Sequence, residues 1–303
     1  MKRIALAVAA VALWATAAAL TAEPNAVHFH HFHLNVTNPQ KSMEFYRSVF
    51  GAVPVKFGGR ADAVFTERSF ILFSQVAAPA RASLDTGIWH LGWGGVDGPN
   101  EFKNLTARGV EFQTPVTPYA NFHYMYPYGP DKEVLEIWTG YQNHLYGHVH
   151  LIAADPVATV RWYSDNLGIT LRAAARGTPG GAPPAIAQPS ATSAGSSALS
   201  NVDNVQIIVF RQPNGDPLPS LWGTNPPLKT FDSTRGHVVD HIAFSYTSIK
   251  PVFDRLKKAG VSILEPIALR PDYGFKSFFV QGPDKVVIEI VEAKPIPDAS
   301  WGQ

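Results

Sequence analysis

HFHLNVTNPQKSMEFYRSVFG, residues 31–51, and HVHLIAADPVATVRWYSDNLG, residues 148–168, are one pattern written twice. Each opens on an alternating run, His31-Phe-His-Leu-Asn-Val36 in the first, which suits a strand buried on one face. A turn with Asn38-Pro39 or Asp155-Pro156 follows, where the polar residue can cap a helix and the proline fits its first turn. An amphipathic helix then ends at Gly51 or Gly168, with Tyr46 and Tyr163 on its apolar face.

A second repeat interleaves with the first. His90-Leu-Gly-Trp, ARGVEFQTPV (107–116) and GPDKEVLEI (129–137) match His241-Ile-Ala-Phe, KAGVSILEPI (258–267) and GPDKVVIEI (282–290). Strand-like runs at Ser69–Phe73, Val134–Trp138, Val205–Phe210 and Val286–Val291 close the modules. The chain therefore reads as four βαβββ modules, an α+β protein made by duplicating a two-module unit. Two regions fall outside the repeat. Residues 172–201, rich in Ala, Gly, Pro and Ser, read as a flexible insertion, and residues 211–235, with proline and tryptophan, as a covering loop.

Of 303 residues, 46% are hydrophobic and 16% charged, which excludes a disordered chain. The net charge is +1 with no basic run, so no nucleic-acid partner is expected. There is no cysteine, and any metal must be held by His, Asp or Glu. Residues 1–22 have a charged start, an Ala/Val/Leu stretch and a small-residue end, the pattern of a cleaved signal peptide. A periplasmic or secreted protein with no membrane association after cleavage is expected.

The strand-one histidine, the helix ending in F-Y-x-x-x-x-G (Phe45, Tyr46, Gly51), and the G-P-D-x-x-x-x-E strand resemble the vicinal oxygen chelate superfamily, which includes glyoxalase I, extradiol dioxygenases and bleomycin-binding proteins. The resemblance covers most of residues 27–294 and implies that modules pair into two half-barrel, glyoxalase-like domains. The division expected is residues 27–140 (modules one and two) and residues 146–294 (modules three and four). It further implies a divalent metal, Fe2+, Mn2+, Zn2+ or Ni2+, held in the first domain by His31, His90 and Glu136. In the second domain the implied ligands are His148, His241 and Glu289. Two imidazoles and a carboxylate leave open positions for a small substrate that chelates through adjacent oxygens.

His33 and His150 lie two residues after a proposed ligand and project from the same strand face, as candidate acid–base groups. By the same parity His30 should face solvent. Glyoxalase I carries a glutamate on the last strand of its first module; the matching positions here hold Ile71, or a residue near it, and Gln206. The dioxygenase tyrosine ten residues before the glutamate is matched by Tyr126 in the first half and Phe279 in the second, with Tyr124 on the face of Tyr126. The function expected is a metal-dependent dioxygenase, lyase or isomerase, with the first half active through His33 or Tyr126. The alternative is a non-catalytic small-molecule-binding protein of the bleomycin-binding type.

Overall fold

The computed structural model describes residues 25–59, 61–82, 85–119, 121–172, 197–211 and 230–296. The expected signal peptide, most of the 172–201 insertion and most of the covering loop lie outside the described residues. Module one comprises β1 (His28–Val36), α1 (Pro39–Phe50), β2 (Val53–Phe57), β3 (Ala61–Thr66) and β4 (Ser69–Gln75). Module two comprises β5 (Ile88–Gly95), α2 (Gly98–Ala107), β6 (Phe112–Tyr119), β7 (Phe122–Pro127) and β8 (Leu135–Thr139). Module three comprises β9 (Tyr146–Ala153), α3 (Pro156–Leu167), β10 (Thr170–Arg172), β11 (Ser197–Val202) and β12 (Val205–Arg211). Module four comprises β13 (Val239–Tyr246), α4 (Lys250–Lys258), β14 (Ile263–Arg270), β15 (Phe275–Gln281) and β16 (Val287–Glu292).

The helices begin and end where local chemistry places them. Asn38 accepts a hydrogen bond from the Lys41 amide, and Asp155 accepts from those of Val157 and Ala158. Gly51 and Gly168 end their helices in the left-handed region, at φ 69° and 78°.

The strands form two eight-stranded sheets, in the orders β14-β15-β16-β13-β1-β4-β3-β2 and β10-β11-β12-β9-β5-β8-β7-β6. Both mix parallel and antiparallel pairs: β1 runs parallel to β4 and antiparallel to β13. Among the described residues both are open, each ending on two edge strands paired on one side, so the half-barrels expected from the resemblance do not form. The partners also differ from the expected ones. The first sheet joins modules one and four, and the second joins modules two and three. Chain connectivity supplies the reason. Only residues 140–145 separate β8 from β9, and that short link delivers β9 antiparallel to β5 in the centre of one sheet. The corresponding edge of β1 is left for β13.

Alternation along β1 sets the layers. Phe32 packs across to the second sheet, 5.2 Å from Tyr146 and 6.1 Å from Trp93 between ring centroids. α1 lies at the same interface, where Tyr46 touches Phe73 of one sheet and Trp93 of the other. His31 and His33, of opposite parity to Phe32, occupy the other face of the strand. Each sheet thus turns an apolar face inward and a histidine-bearing face away. No described helix is long and apolar enough to cross a membrane.

Candidate metal centres

The six expected ligands converge in two clusters, and the module exchange regroups them. His31 of β1, His241 of β13 and Glu289 of β16 form centre one. His90 of β5, Glu136 of β8 and His148 of β9 form centre two. The expected trios His31, His90, Glu136 and His148, His241, Glu289 are each divided between the sheets, because each histidine follows the sheet its strand joins.

At centre one, Oε2 of Glu289 stands 3.2 Å from Nε2 of His31 and 3.3 Å from Nε2 of His241. Both nitrogens are buried and neither is aligned to share a proton with the carboxylate. Two atoms each ~2.1 Å from one cation lie ~3.0–3.4 Å apart at angles of ~90–109°. The spacing and the orphaned nitrogens therefore fit a shared divalent ion. Burial outweighs the pull of Glu289 and holds the His31 pKa below the ordinary imidazole range, leaving the neutral, ligating form. Burial acts against the charge on Glu289 as well, but the neighbouring imidazoles win and keep it well below the usual carboxylate range.

Centre two is tighter. Oε2 of Glu136 lies 3.0 Å from Nε2 of His90 and 2.6 Å from Nε2 of His148. His150 adds a fourth group, its Nδ1 3.1 Å from Nε2 of His90. The cluster is walled by aromatic rings: Trp89 and Phe210 pack on His150, and Tyr126 on His90. The His148 ring lies over Gly92, where a Cβ would come within 2.0 Å of it. Tyr126 is buried and bonded to Glu136; burial first, and the Glu136 charge second, hold its phenol protonated far above the usual range. Tyr124 stacks on Trp138, in the wall.

A shared backbone device aims all four candidate ligand histidines. Each follows one extra residue in its strand: His30 in β1, Asp240 in β13, Trp89 in β5 and Gly147 in β9. Such bulges re-aim the side chains beside them. The bulge also corrects the expectation for His30, which is 2% exposed rather than facing solvent. Parity fails there because the extra residue breaks the alternation. Burial, and the neighbouring His31 after it, push the His30 pKa down to about 3.

The inserted residues differ between centres. At centre one they are polar and reach the ligands: Asp240 Oδ1 is 2.6 Å from His241 Nδ1, and His30 Nδ1 is 2.7 Å from His31 Nδ1. Burial lowers the His241 pKa, but its bond to Asp240 and the nearby carboxylate of Glu289 outweigh that and raise it overall. At centre two the inserted residues are Trp89 and Gly147, and His90 Nδ1 is buried without a hydrogen bond among the described residues. Outer partners that fix a ring's orientation and basicity are thus built around centre one. The third ligand is held too: Arg270 Nε donates to Ser277 Oγ at 2.9 Å, and Ser277 donates to Glu289 Oε1.

A cavity of about 270 Å³ adjoins centre one, lined by His33, Ser74, His241, Tyr273, Phe279 and Glu289 among others. His33 Nε2 lies 2.8 Å from Ser74 Oγ, and Ser74 also bonds to Tyr273. Centre one therefore owns a phenol, which sequence reading had assigned only to the half containing Tyr126. The pairing of His33 with Tyr126 does not occur: His33 adjoins His241 on one sheet and Tyr126 adjoins Glu136 on the other. Beside His31 in the sheet stands Phe70, with Ile71 turned into the core, and beside His148 stands Gln206, which is exposed. Asp240, adjacent to His241 in the sequence, is the one legible hint of the supporting residues; Arg235 lies on the turn before β13, and Ser74, Arg270 and Tyr273 lie on strands or turns far from the ligands in the chain.

Tandem βαβββ modules that bring two imidazoles and a carboxylate together on facing strands define a class of duplicated metal-binding α+β proteins. The chain belongs to the Glyoxalase/Bleomycin resistance protein/Dioxygenase superfamily, whose family model matches residues 28–137 and 145–290. Its fold is similar to that of glyoxalase I from Zea mays, with a TM-score of 0.61 at 14% identity over 88% of this chain and 93% of that one. It is also similar to a putative dioxygenase from Bacillus subtilis, with a TM-score of 0.59 at 15% identity over 89% of this chain and 86% of that one. No curated relative matches the chain.

Proposed function

We propose that the protein is an exported, divalent-metal-dependent enzyme of dioxygenase- or lyase-like type, working at centre one on a small molecule that binds through adjacent oxygens. The observation that carries this reading is the cavity beside His241 and Glu289, the ligands whose outer faces are held by Asp240 and Ser277. Fe2+, Mn2+, Zn2+ or Ni2+ suits two imidazoles and a carboxylate. Bound there, the ion supplies Lewis acidity that stabilises negative charge on substrate oxygen. The chain's own residues do the rest. Asp240 and His30 fix the two ligand rings, and Ser277 fixes Glu289. Phe279 and Tyr273 line the cavity. His33, kept neutral chiefly by burial and then by His241, accepts a proton and exchanges it with Tyr273 through Ser74.

Centre two, with four potential ligands in an aromatic setting, serves as a structural tie between β5, β8 and β9 in this reading. The test is anaerobic metal loading of the parent, Glu289→Ala and Glu136→Ala, with elemental analysis and oxygen-uptake and product assays on a panel of catechols and hydroxy-carbonyl compounds. Turnover should vanish in Glu289→Ala and persist in folded Glu136→Ala. Full metal content in folded Glu289→Ala overturns the reading.

A further inference from the structure

Two guanidinium groups face the cavity of centre one, and their charges are incompletely answered. Arg235 Nη2 and Arg270 Nη1 share a single carboxylate, Glu265, at 3.0 and 2.9 Å. Asp240 pairs with Arg235 only at the longer distance of 3.8 Å, and its oxygens also bond to His241, Gly236 and Asn35. With a divalent ion on Glu289, the ion and the two guanidiniums carry four positive charges against the three negative ones of Asp240, Glu265 and Glu289, so one positive charge is in surplus. Nη2 of Arg270 is buried and makes no hydrogen bond among the described residues. A buried donor left unmade costs about 1–3 kcal/mol, so a group that bonds to it gains correspondingly.

The two side chains are also held in place. Both guanidiniums pack on the ring of Phe279, at 4.3 and 4.9 Å from its centroid. Phe279 stands opposite Glu289 in the β15–β16 ladder. Arg270 is fixed besides through Ser277 to that same glutamate. A planar, oriented fork of donors with surplus charge matches a carboxylate better than any neutral group.

We propose that Arg235 and Arg270 seat a carboxylate of the substrate beside centre one, so that the molecule turned over is a small organic acid carrying its chelating oxygens next to that carboxylate. The proposal rests on centre one being the metal site. The experiment uses the full-length protein loaded with Zn2+, which avoids oxidation chemistry, and calorimetric titration with catechol and with its 2,3- and 3,4-dihydroxybenzoate analogues. These probes share one chelating pair and differ by a carboxylate. Zinc content is measured on every sample.

In the parent, at least one dihydroxybenzoate should bind about tenfold or more tighter than catechol, the least that a charged hydrogen bond supplies. Arg235→Gln should bring the probes close to parity while zinc content and catechol affinity hold; Arg270→Gln should also bring them close to parity, with zinc affinity lowered through Ser277. Arg235→Gln is the cleaner variant, because Arg235 makes no contact with Ser277 or Glu289. Parity in the parent, a preference that survives both substitutions, or zinc binding without probe binding overturns the seat and leaves the metal site standing. Absence of zinc from the parent overturns both.

Discussion

At single residues, Gly92 and Ala243 occupy matching positions opposite the first-strand histidines, His148 and His31. The missing Cβ of Gly92 is what lets the His148 ring lie flat over the strand. Gly92→Ala should push His148 off Glu136 and weaken metal binding at centre two by about 10–100-fold, the range found when ligand-supporting residues are lost. Zinc titration of Gly92→Ala in a Glu289→Ala background reads centre two alone; unchanged affinity there refutes the packing argument. Glu133 offers a separate test. Burial pushes its carboxyl up to about 7, against the hydrogen bonds from Tyr46 and the Asp131 amide. The folded state holds this proton more tightly than the unfolded chain does. Its contribution is therefore complete below about pH 4.5 and is lost as pH rises to about 7, an effect of up to about 3 kcal/mol. Urea melts at pH 5 and pH 8 should differ less for Glu133→Gln than for the parent.

Among the elements, the bulged strands explain both the success and the failure of reading sites from sequence. The two repeats marked the six residues that gather in the two clusters, because a histidine on strand one and a glutamate on the last strand recur at matching positions. Alternation also put Phe32 and Leu34 inside. It failed at His30, where an inserted residue shifts the register and buries a side chain expected outside. Nothing in a single strand's pattern announces such an insertion, which depends on the partner strand. The same insertion makes Asp240 the outer partner of His241. Asp240→Asn retains the shape and loses the charge, so metal affinity at centre one should fall about 10–100-fold. Equal affinities of parent and variant, measured by competition with a coloured chelator, would show the contact to be incidental.

Across the whole molecule, module order was legible and module partnership was not. Sequence similarity ties module one to module three and module two to module four, and it is indifferent to which copy each pairs with. The pairing is decided by connection length, above all the short link between β8 and β9. It can be checked directly, since the chain has no cysteine of its own. His28 and Ser245 face each other across β1 and β13. Paired strand residues lie within the Cα separation a disulfide spans. The double variant His28→Cys, Ser245→Cys should oxidise to a monomer with altered gel mobility. A covalent dimer would mean that module four reaches a second copy, and no cross-link at all would refute the pairing.

The sheets are nested like brackets: β5 to β12 form one sheet, entirely between the strands β4 and β13 of the other. As the chain emerges N-terminus first, the inner sheet can assemble once module three is free, while β1 waits for its neighbour. Bringing β13 to β1 across a floppy intervening chain costs about 3 kcal/mol more than closing the β8–β9 link, by the logarithmic growth of loop entropy. A folded inner sheet shortens that path and draws the outer bracket shut. Centre one is thereby the last part of the molecule to be completed, and it acquires Glu289 only when the final strand docks.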